Sequence, residues 1–460
     1  MPADVAVLGL GHLGLPAAQA TTAAGMPTVG FTRDARAAAA LAAGRPPAES
    51  PLTAAEIRRM LTAGFTVTTD PAVLSRVRTA LICEPAPAGP DRMLDLTAIG
   101  EAARVLAPRL RPHTLVVLES PVYPGTTEEL VRPLLEQGSG LRAGRDFRLA
   151  CSAGGRSDGP AQHGQHAQHP GQAGQPAPSS PPPGGPRVIG GLTPACTEAA
   201  AAFYGRRAEK LVRARGLKEA ETARVLETNL RHVQLALVNE MAVLCHELGV
   251  DLWDVLRCTE PALSGTAAGG GPGPGTGSGA GGGPGMVRPG PGPGGHAGPI
   301  DAGLLPGVRR HGPGRPLRMV ELAQQVNAGM PRYVTQRAAA LLNEHGKSVR
   351  GARVLLLGVT CQPDAAGQEG APAREIAARL RDLGAQLSYH DPLVPRWRVA
   401  GRPVARADEL CESLYEAAAS SDLTLLLQNH STYDLQGLAA KAQLLFDTRG
   451  ATPAGAAHRL

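Results

Sequence analysis

Three glycines at positions 9, 11 and 14, in the run GLGHLG, have the spacing that lets a backbone hold a diphosphate. The first permits a tight turn out of a strand. The second keeps side-chain bulk away from an approaching pyrophosphate, and the third lets the following helix pack on the strand. DVAVLG (4–9) reads as a buried strand and the Ala-rich stretch to Gly25 as a helix, so the turn stands where a dinucleotide cradle needs it. A second stretch, GPGPGGHAGPID (290–301), has the setting of an active-site loop without a reactive atom. Gly294 and Gly295 lead to His296, and Asp301 follows four residues after Ala297, a methyl group that does no chemistry.

At the end of the second strand, PTVGF, an acid would hold the ribose hydroxyls of NAD. The residue there is Thr32, followed by Arg33 and Asp34. A lost carboxylate beside an arginine suits a 2′-phosphate, so the cofactor reading is NAD, with NADP as the alternative. The competing reading is that Thr32 weakens binding and Arg33 is a solvated charge.

Composition narrows the class. With 460 residues the chain is long enough for two or three cores, and aromatics at 3% mean those cores are built from Ala, Val and Leu. The net charge of +6 is scattered and carried almost wholly by arginine, with lysine only at Lys210, Lys218, Lys347 and Lys441. No clustered basic stripe with aromatics is present, which argues against nucleic acid. The seven cysteines are irregularly spaced without a CxxC pair, so neither a disulfide framework nor a metal site is expected. With no basic leader and no membrane-length apolar run, the expectation is a cytoplasmic protein without a membrane partner.

The elements that must position these residues follow from periodicity. TALICEP (79–85), TLVVLES (114–120), FRLACS (147–152) and RVIGG (187–191) read as further buried strands, parallel in a doubly wound sheet. The tract 155–186 is low in complexity and carries His163, His166 and His169, which without a fixed frame make a weak metal site. From Thr193 the period becomes helical, with a long apolar helix over 221–257 closed by Gly249 and a second starting at Asp251. A Gly/Pro tract over 263–288 follows, then helical patterning over 318–346. ARVLLLGV (352–359), QLSYHDP (386–392), DLTLLLQNH (422–430) and QLLFDTRG (443–450) form a second parallel sheet. The fold class is α/β: two Rossmann-like doubly wound parallel-sheet domains joined by a long helical connector or dimerisation domain. The expected domains are 1–192, 193–335 and 336–460.

These motifs together resemble the UDP-glucose/GDP-mannose dehydrogenase family, in particular its UDP-N-acetylglucosamine and UDP-N-acetylmannosamine dehydrogenase type. The resemblance rests on GLGHLGLP (9–16), LESPVYPGTTEE (118–129), SGLRAGRDF (139–147), ALVNE (236–240), GPGPGGHAGPID (290–301), LLLGV (355–359), YHDP (389–392) and FDTRG (446–450). It implies a UDP-sugar ligand, NAD, a homodimer through the central helices, and oxidation of a sugar C6 hydroxyl to the acid in two hydride transfers. In such a reaction a cysteine thiolate adds to the aldehyde, a thioester forms, and water hydrolyses it. A lysine and an asparagine stabilise the oxyanion and an acid handles protons.

Carried over position by position, most of this machinery is missing. The nucleophilic cysteine falls on Ala297, the lysine on Arg224, the asparagine on Thr228 and the glutamate of a Ser-Pro-Glu loop on Gly154. Asn229 lies about 100° around the helix from Thr228 and is a poor stand-in. The threonine after Glu119-Ser120 is Pro121, the lysine of a Lys-Pro-Asp motif is Gln362, and an arginine position falls on Glu369. Asp301 is the retained catalytic residue. The cofactor-binding set is Gly9, Gly11, His12, Leu13, Gly14, Thr32, Arg33 and Pro85; the substrate-binding set is Tyr123, Gly125, Gly294, Gly295, His296 and Arg449. Neither Cys151 nor Cys258 has evident reach or activation to replace the nucleophile. Three functional readings follow: a nucleotide-binding relative without catalysis that partners an active dehydrogenase, an oxidoreductase that stops at the aldehyde, and a dimerising scaffold.

Overall fold

The computed structural model describes residues 3–47, 50, 52–87, 94–154, 187–207, 210–265, 290, 317–364, 366–368 and 370–460. The tract 155–186, nearly all of 266–316, and Glu369 therefore lie outside the described residues. The chain divides into two compact units whose boundary falls between Thr228 and Asn229.

The first unit carries eight strands: β1 (Val5–Leu8), β2 (Thr28–Phe31), β3 (Thr66–Thr68), β4 (Thr79–Ile82), β5 (Leu115–Leu118), β6 (Arg148–Gly154), β7 (Arg187–Gly191) and β8 (Leu211–Arg213). Their order is β3-β2-β1-β4-β5-β6-β7-β8. Strand order reverses between β1 and β4, where an open α/β sheet has its ligand crevice. The continuous apolar runs are explained by burial on both faces. Ala6, Leu8, Ala80, Ile82, Val116 and Leu118 pack on one side; Val5, Val7, Leu81, Leu115 and Val117 pack on the other.

One expectation is corrected here. RVIGG forms a strand as read, but β7 runs antiparallel to β6, with Cys151 opposite Gly190. A buried strand pattern carries no direction. A parallel return needs a crossover, usually helical, and the residues between Gly154 and Arg187 have no helical period.

The second unit has seven strands: β9 (Arg353–Leu357), β10 (Gln386–His390), β11 (Trp397–Val399), β12 (Arg402–Arg406), β13 (Leu423–Leu426), β14 (Leu445–Asp447) and β15 (His458–Arg459). The order is β11-β12-β10-β9-β13-β14-β15, parallel except for the β11–β12 hairpin. Val354, Leu356, Leu423 and Leu425 face one layer, Leu355, Leu357 and Leu426 the other. The sequence reading missed β11 and β15, which span three and two residues, and β12, whose RPVAR has no apolar run. In front of this sheet come the long helix Leu217–Glu247, which begins in the first unit, and the helices Leu252–Gly265 and Arg318–Glu344. The long helix ends where expected, at Gly249 with φ 67°. No helix among the described residues is long and apolar enough to cross a membrane.

Candidate active site

The glycine turn has the geometry that its spacing implies. At Gly9, φ is 91°, and an added Cβ would lie 2.9 Å from the Cys83 carbonyl, so β1 and β4 close on it. At Gly14 a Cβ would sit 1.7 Å from the Gly9 carbonyl oxygen. At Gly11 it would meet nothing within 4 Å. The turn is therefore packed where helix and strand must touch and open where a diphosphate would approach. The helix Gly14–Ala23 starts at Leu13 without a side-chain cap and without an acid in its first turn, although the Leu15 amide already donates to the Gly11 carbonyl at 3.0 Å and Pro16 has no N–H to offer. His12 is exposed and Leu13 half-buried in the turn, and Pro85 is exposed just past β4.

The second-strand position is less open. Thr32 accepts a hydrogen bond from the Asp34 amide at 3.3 Å. Asp34 caps the next helix, accepting from the Arg36 and Ala37 amides, so its carboxylate is spent on structure. Arg33 lies 2.5 Å from Glu101. A guanidinium already paired with a carboxylate is a weakened receptor for a 2′-phosphate, which favours NAD over NADP.

Beyond the cradle, along the carboxyl ends of β4, β5 and β6, lies a buried ionic cluster absent from the sequence reading. Tyr204 donates to Glu119 Oε1 at 2.5 Å, and Arg187 and Arg207 approach the same oxygen at 3.5 and 3.8 Å. The two guanidiniums lie 4.7 and 5.4 Å from the Tyr204 ring centre. Arg187 also donates to Ser152 at 2.9 Å, and Ser120 donates to the Glu84 carbonyl at 2.6 Å. Burial, then the Glu119 charge, pushes the Tyr204 phenol well up, so it stays protonated. The same two causes push up the Cys83 thiol. A single clue to the cluster was present: Arg187 is a charge at the head of an apolar strand.

The long helix supplies the rest of the first unit's site. Glu221, Arg224 and Thr228 stand three and four residues apart and share one face. Glu221, also missed from sequence, is buried and accepts from the Gly125 amide at 2.5 Å, the Thr127 amide at 3.0 Å and the Thr127 hydroxyl at 2.5 Å. It thus fixes the YPGTT loop, at the head of the helical turn Thr127–Val131, to the long helix. Tyr123 is buried in that loop, its hydroxyl accepting from the Leu94 amide. Arg224, at the lysine position, is half-buried, and its Nε meets no acceptor among the described residues. Thr228 and Asn229 are both buried. Gly154, at the glutamate position, ends β6. Cys151 is buried, donates to the Leu217 carbonyl at 3.5 Å, and is pushed well up by burial. Cys258 is exposed in the second unit.

In the second unit, Arg449 donates through Nε to the Leu427 carbonyl at 2.7 Å. Burial pulls its pKa down to about 10, which leaves it charged at neutral pH. Gly290, the first residue of GPGPGGHAGPID, is held by Asn239 Oδ1 at 3.1 Å, and a Cβ on it would come within 2.6 Å of Arg449 Nη1. Asn239 belongs to ALVNE and also donates to Asn327 at 3.0 Å. Gln362 is half-buried in the loop after β9. Gly294, Gly295, His296, Ala297 and Asp301 lie outside the described residues, as does the His-rich tract.

Two doubly wound sheets, one with a diphosphate-ready turn at its switch point, define a nucleotide-binding α/β protein. Residues 3–161 match the NAD binding domain of the UDP-glucose/GDP-mannose dehydrogenase family, residues 218–329 its central domain, and residues 355–454 its UDP binding domain. The chain belongs to that family. It is 27% identical over 397 residues to a UDP-N-acetyl-D-glucosamine 6-dehydrogenase of Pseudomonas aeruginosa, covering 85% of this chain and 83% of the relative. It is 25% identical over 465 residues to a UDP-N-acetyl-D-mannosamine dehydrogenase of Escherichia coli strain K12, covering 97% and 99%. A solved UDP-glucose dehydrogenase from Pyrobaculum islandicum shares the fold, with a TM-score of 0.76 at 21% identity over 100% of this chain and 97% of that one.

Proposed function

We propose that this chain binds NAD and a UDP-sugar and is impaired in carrying the sugar's C6 oxidation through to the acid. The observation that carries the reading is the lack of a thiol at the nucleophile position. The nucleophile position is Ala297. In the first unit Cys83 and Cys151 are buried, and both are pushed above the ordinary thiol range by burial. A thiol without thiolate character does not add to an aldehyde.

The cradle supports NAD: Gly11 is open, and the helix N-terminus behind it carries no competing acid. Bound there, NAD would accept hydride from the sugar carbon. Arg224 Nε–H, a buried donor without an acceptor among the described residues, suits a ligand oxygen at the lysine position. An arginine does not shuttle a proton as the lysine of that position would. Tyr123 and Gly125 on the Glu221-braced loop, and Arg449 with the segment beginning at Gly290, are the substrate contacts of this reading. The open cradle also favours a second reading, a single oxidation that stops at the aldehyde with Asp301 orienting water.

The exposed apolar positions Leu226, Leu230, Leu237, Leu244 and Leu248 recur every four or seven residues along and just past the long helix. They support a homodimer through this face. Seven free cysteines suit the reducing cytoplasm.

The test counts reduced nicotinamide per UDP-N-acetylglucosamine or UDP-glucose consumed by folded protein. None or one per sugar is expected, and one would select the aldehyde-stopping reading. Two per sugar would overturn the impairment. Ala297→Cys alone should not reach two, because Gly154, Arg224 and Thr228 remain; acid formation by that variant would show that these positions do not carry the assigned roles.

A further inference from the structure

At the carboxyl edge of the second sheet a fully buried imidazole ties three strand ends to one loop. His430 follows β13, and its Nε2 lies 3.1 Å from Asp391 Oδ2, just past β10, and 3.1 Å from Thr360 Oγ1, just past β9. Its Nδ1 accepts from the Asp364 amide at 3.0 Å. The Thr360 hydroxyl spends its hydrogen on the Gln362 carbonyl at 3.0 Å, so it offers the ring a lone pair. Asp391 likewise offers only lone pairs, since it already accepts from the Val359 and Leu393 amides. Acceptors face Nε2, and at Nδ1 the Asp364 amide donates at 3.0 Å while the Asp364 carboxylate stands back at 3.7 Å, outside hydrogen-bond distance. One protonation state satisfies all three partners: a neutral ring with its hydrogen on Nε2.

The loop so held is Thr360–Asp364. Gln428 grips its far side, donating to the Cys361 carbonyl at 2.8 Å. Asp364 has φ 58°, which a side chain seldom adopts unless its surroundings impose it. Its carboxylate accepts from the Ser431 amide at 2.9 Å, closing the ring of contacts. Asp391 and His430 are 0% exposed and Gln428 4%, so they act on a ligand only through the loop. The loop leaves β9 where strand order reverses between β9 and β13, the ligand crevice of an open α/β sheet.

We propose that His430 is the positioning residue of the nucleotide half of the UDP-sugar site. In its Nε2–H form it sets the backbone that presents Cys361 and Gln362 to the nucleotide. This deepens the proposed function and rests on its UDP-sugar reading. The assignment explains why so many buried polar groups converge on five residues: a fixed loop meets its ligand without an ordering cost.

The test uses the full chain, UDP as the probe and two variants. His430→Phe fills the space without either hydrogen bond and is expected to weaken UDP binding about tenfold or more. His430→Asn returns an acceptor near the Nδ1 position and is expected to recover binding to within about threefold of wild type. Nitrogen-15 spectra of the histidine rings at neutral pH should place the hydrogen on Nε2, and exchange of the Asp364 amide should speed up about 100-fold in His430→Phe and far less in His430→Asn. A hydrogen on Nδ1, unchanged UDP affinity in His430→Phe, or equal losses in both variants would overturn the assignment. Should wild type bind no UDP at about 1 mM, the UDP-sugar reading of this domain fails. Asp364 exchange would then still decide whether His430 holds the loop, and an unchanged rate in His430→Phe would end that claim too.

Discussion

Gly11→Ala and Gly14→Ala separate cofactor binding from folding inside a single turn. At Gly11 an added methyl meets nothing within 4 Å, and φ there is not left-handed. Its effect on stability should stay within about 0.5 kcal/mol, the range of unencumbered surface changes. The same methyl would stand between the backbone and an approaching pyrophosphate, removing one hydrogen bond to a charged group. At about 1.5–3 kcal/mol for such a bond, NAD affinity falls roughly 10- to 150-fold. At Gly14 the methyl would lie 1.7 Å from the Gly9 carbonyl oxygen and 3.2 Å from Val7 Cγ1, and backbone cannot rotate away. About 1–3 kcal/mol of destabilisation is expected, several degrees in Tm for a unit of this size. Calorimetric titration with NAD at fixed ionic strength, paired with thermal melts, reads both quantities. A Gly11→Ala protein that melts like wild type and binds NAD equally well would refute the cradle, as would wild type that binds no NAD.

Two buried carboxylates predict opposite pH behaviour. Burial raises the Glu221 carboxyl against the lowering effect of the Thr127 and Gly125 donors. The fold therefore favours its protonated form: the Tm advantage of wild type over Glu221→Gln should be largest near pH 4 and shrink as pH rises through the raised range. At Asp391 burial also pushes upward, but the His430 hydrogen bond and the Leu393 and Val359 amides prevail and hold it low. The advantage of wild type over Asp391→Asn, about 1–3 kcal/mol at neutral pH, should begin to shrink as pH falls below about 4 and vanish only below the lowered folded range. Melts of each pair between about pH 2 and 8 check both signs, and a gap that moves the same way in both pairs refutes the reasoning. On the apolar face, the proposed dimer should be converted to a monomer, read by light scattering, by Leu237→Glu with Leu244→Glu, without loss of helicity, because both leucines are about half exposed in the single chain.

What the sequence made legible was whatever repeats or is local. The central strands of both sheets were readable because buried residues alternate between two covered faces, so an apolar run betrays them without context, whereas β3, β8, β11, β12 and β15 offer no such run. The glycine turn was readable because three spacings each answer a separate steric demand. Strand direction was not, as β7 shows, because apolarity has no sign. Nor were the partners of charged groups: Glu221 meets Gly125 across 96 residues, Tyr204 meets Glu119 across 85, and His430 meets Thr360 across 70. In one dimension only Tyr204, behind the run AAAAF, stands out against an apolar neighbourhood; Glu221 and His430 sit among other polar residues, LKEAETAR and QNHSTYD, and nothing marks their distant partners.

The same division explains the form of the candidate site. Glu221 holds three donors, Glu119 anchors Tyr204 and two arginines, and Asp391 satisfies two amides and a ring. Removing any of them leaves buried donors without acceptors, so their loss would be felt by folding before it was felt by chemistry. A nucleophile or a proton-shuttling amine carries no such structural debt. Arg224 and Thr228 fit their places on the helix face, and Gly154 ends its strand without disturbing it. A frame of this kind can outlast the reaction it positions, and can keep binding nucleotides after the reaction is gone. That is why Gly11→Ala and Ala297→Cys interrogate different things: the first asks whether the frame still holds its ligand, the second whether chemistry can be returned to it by one atom.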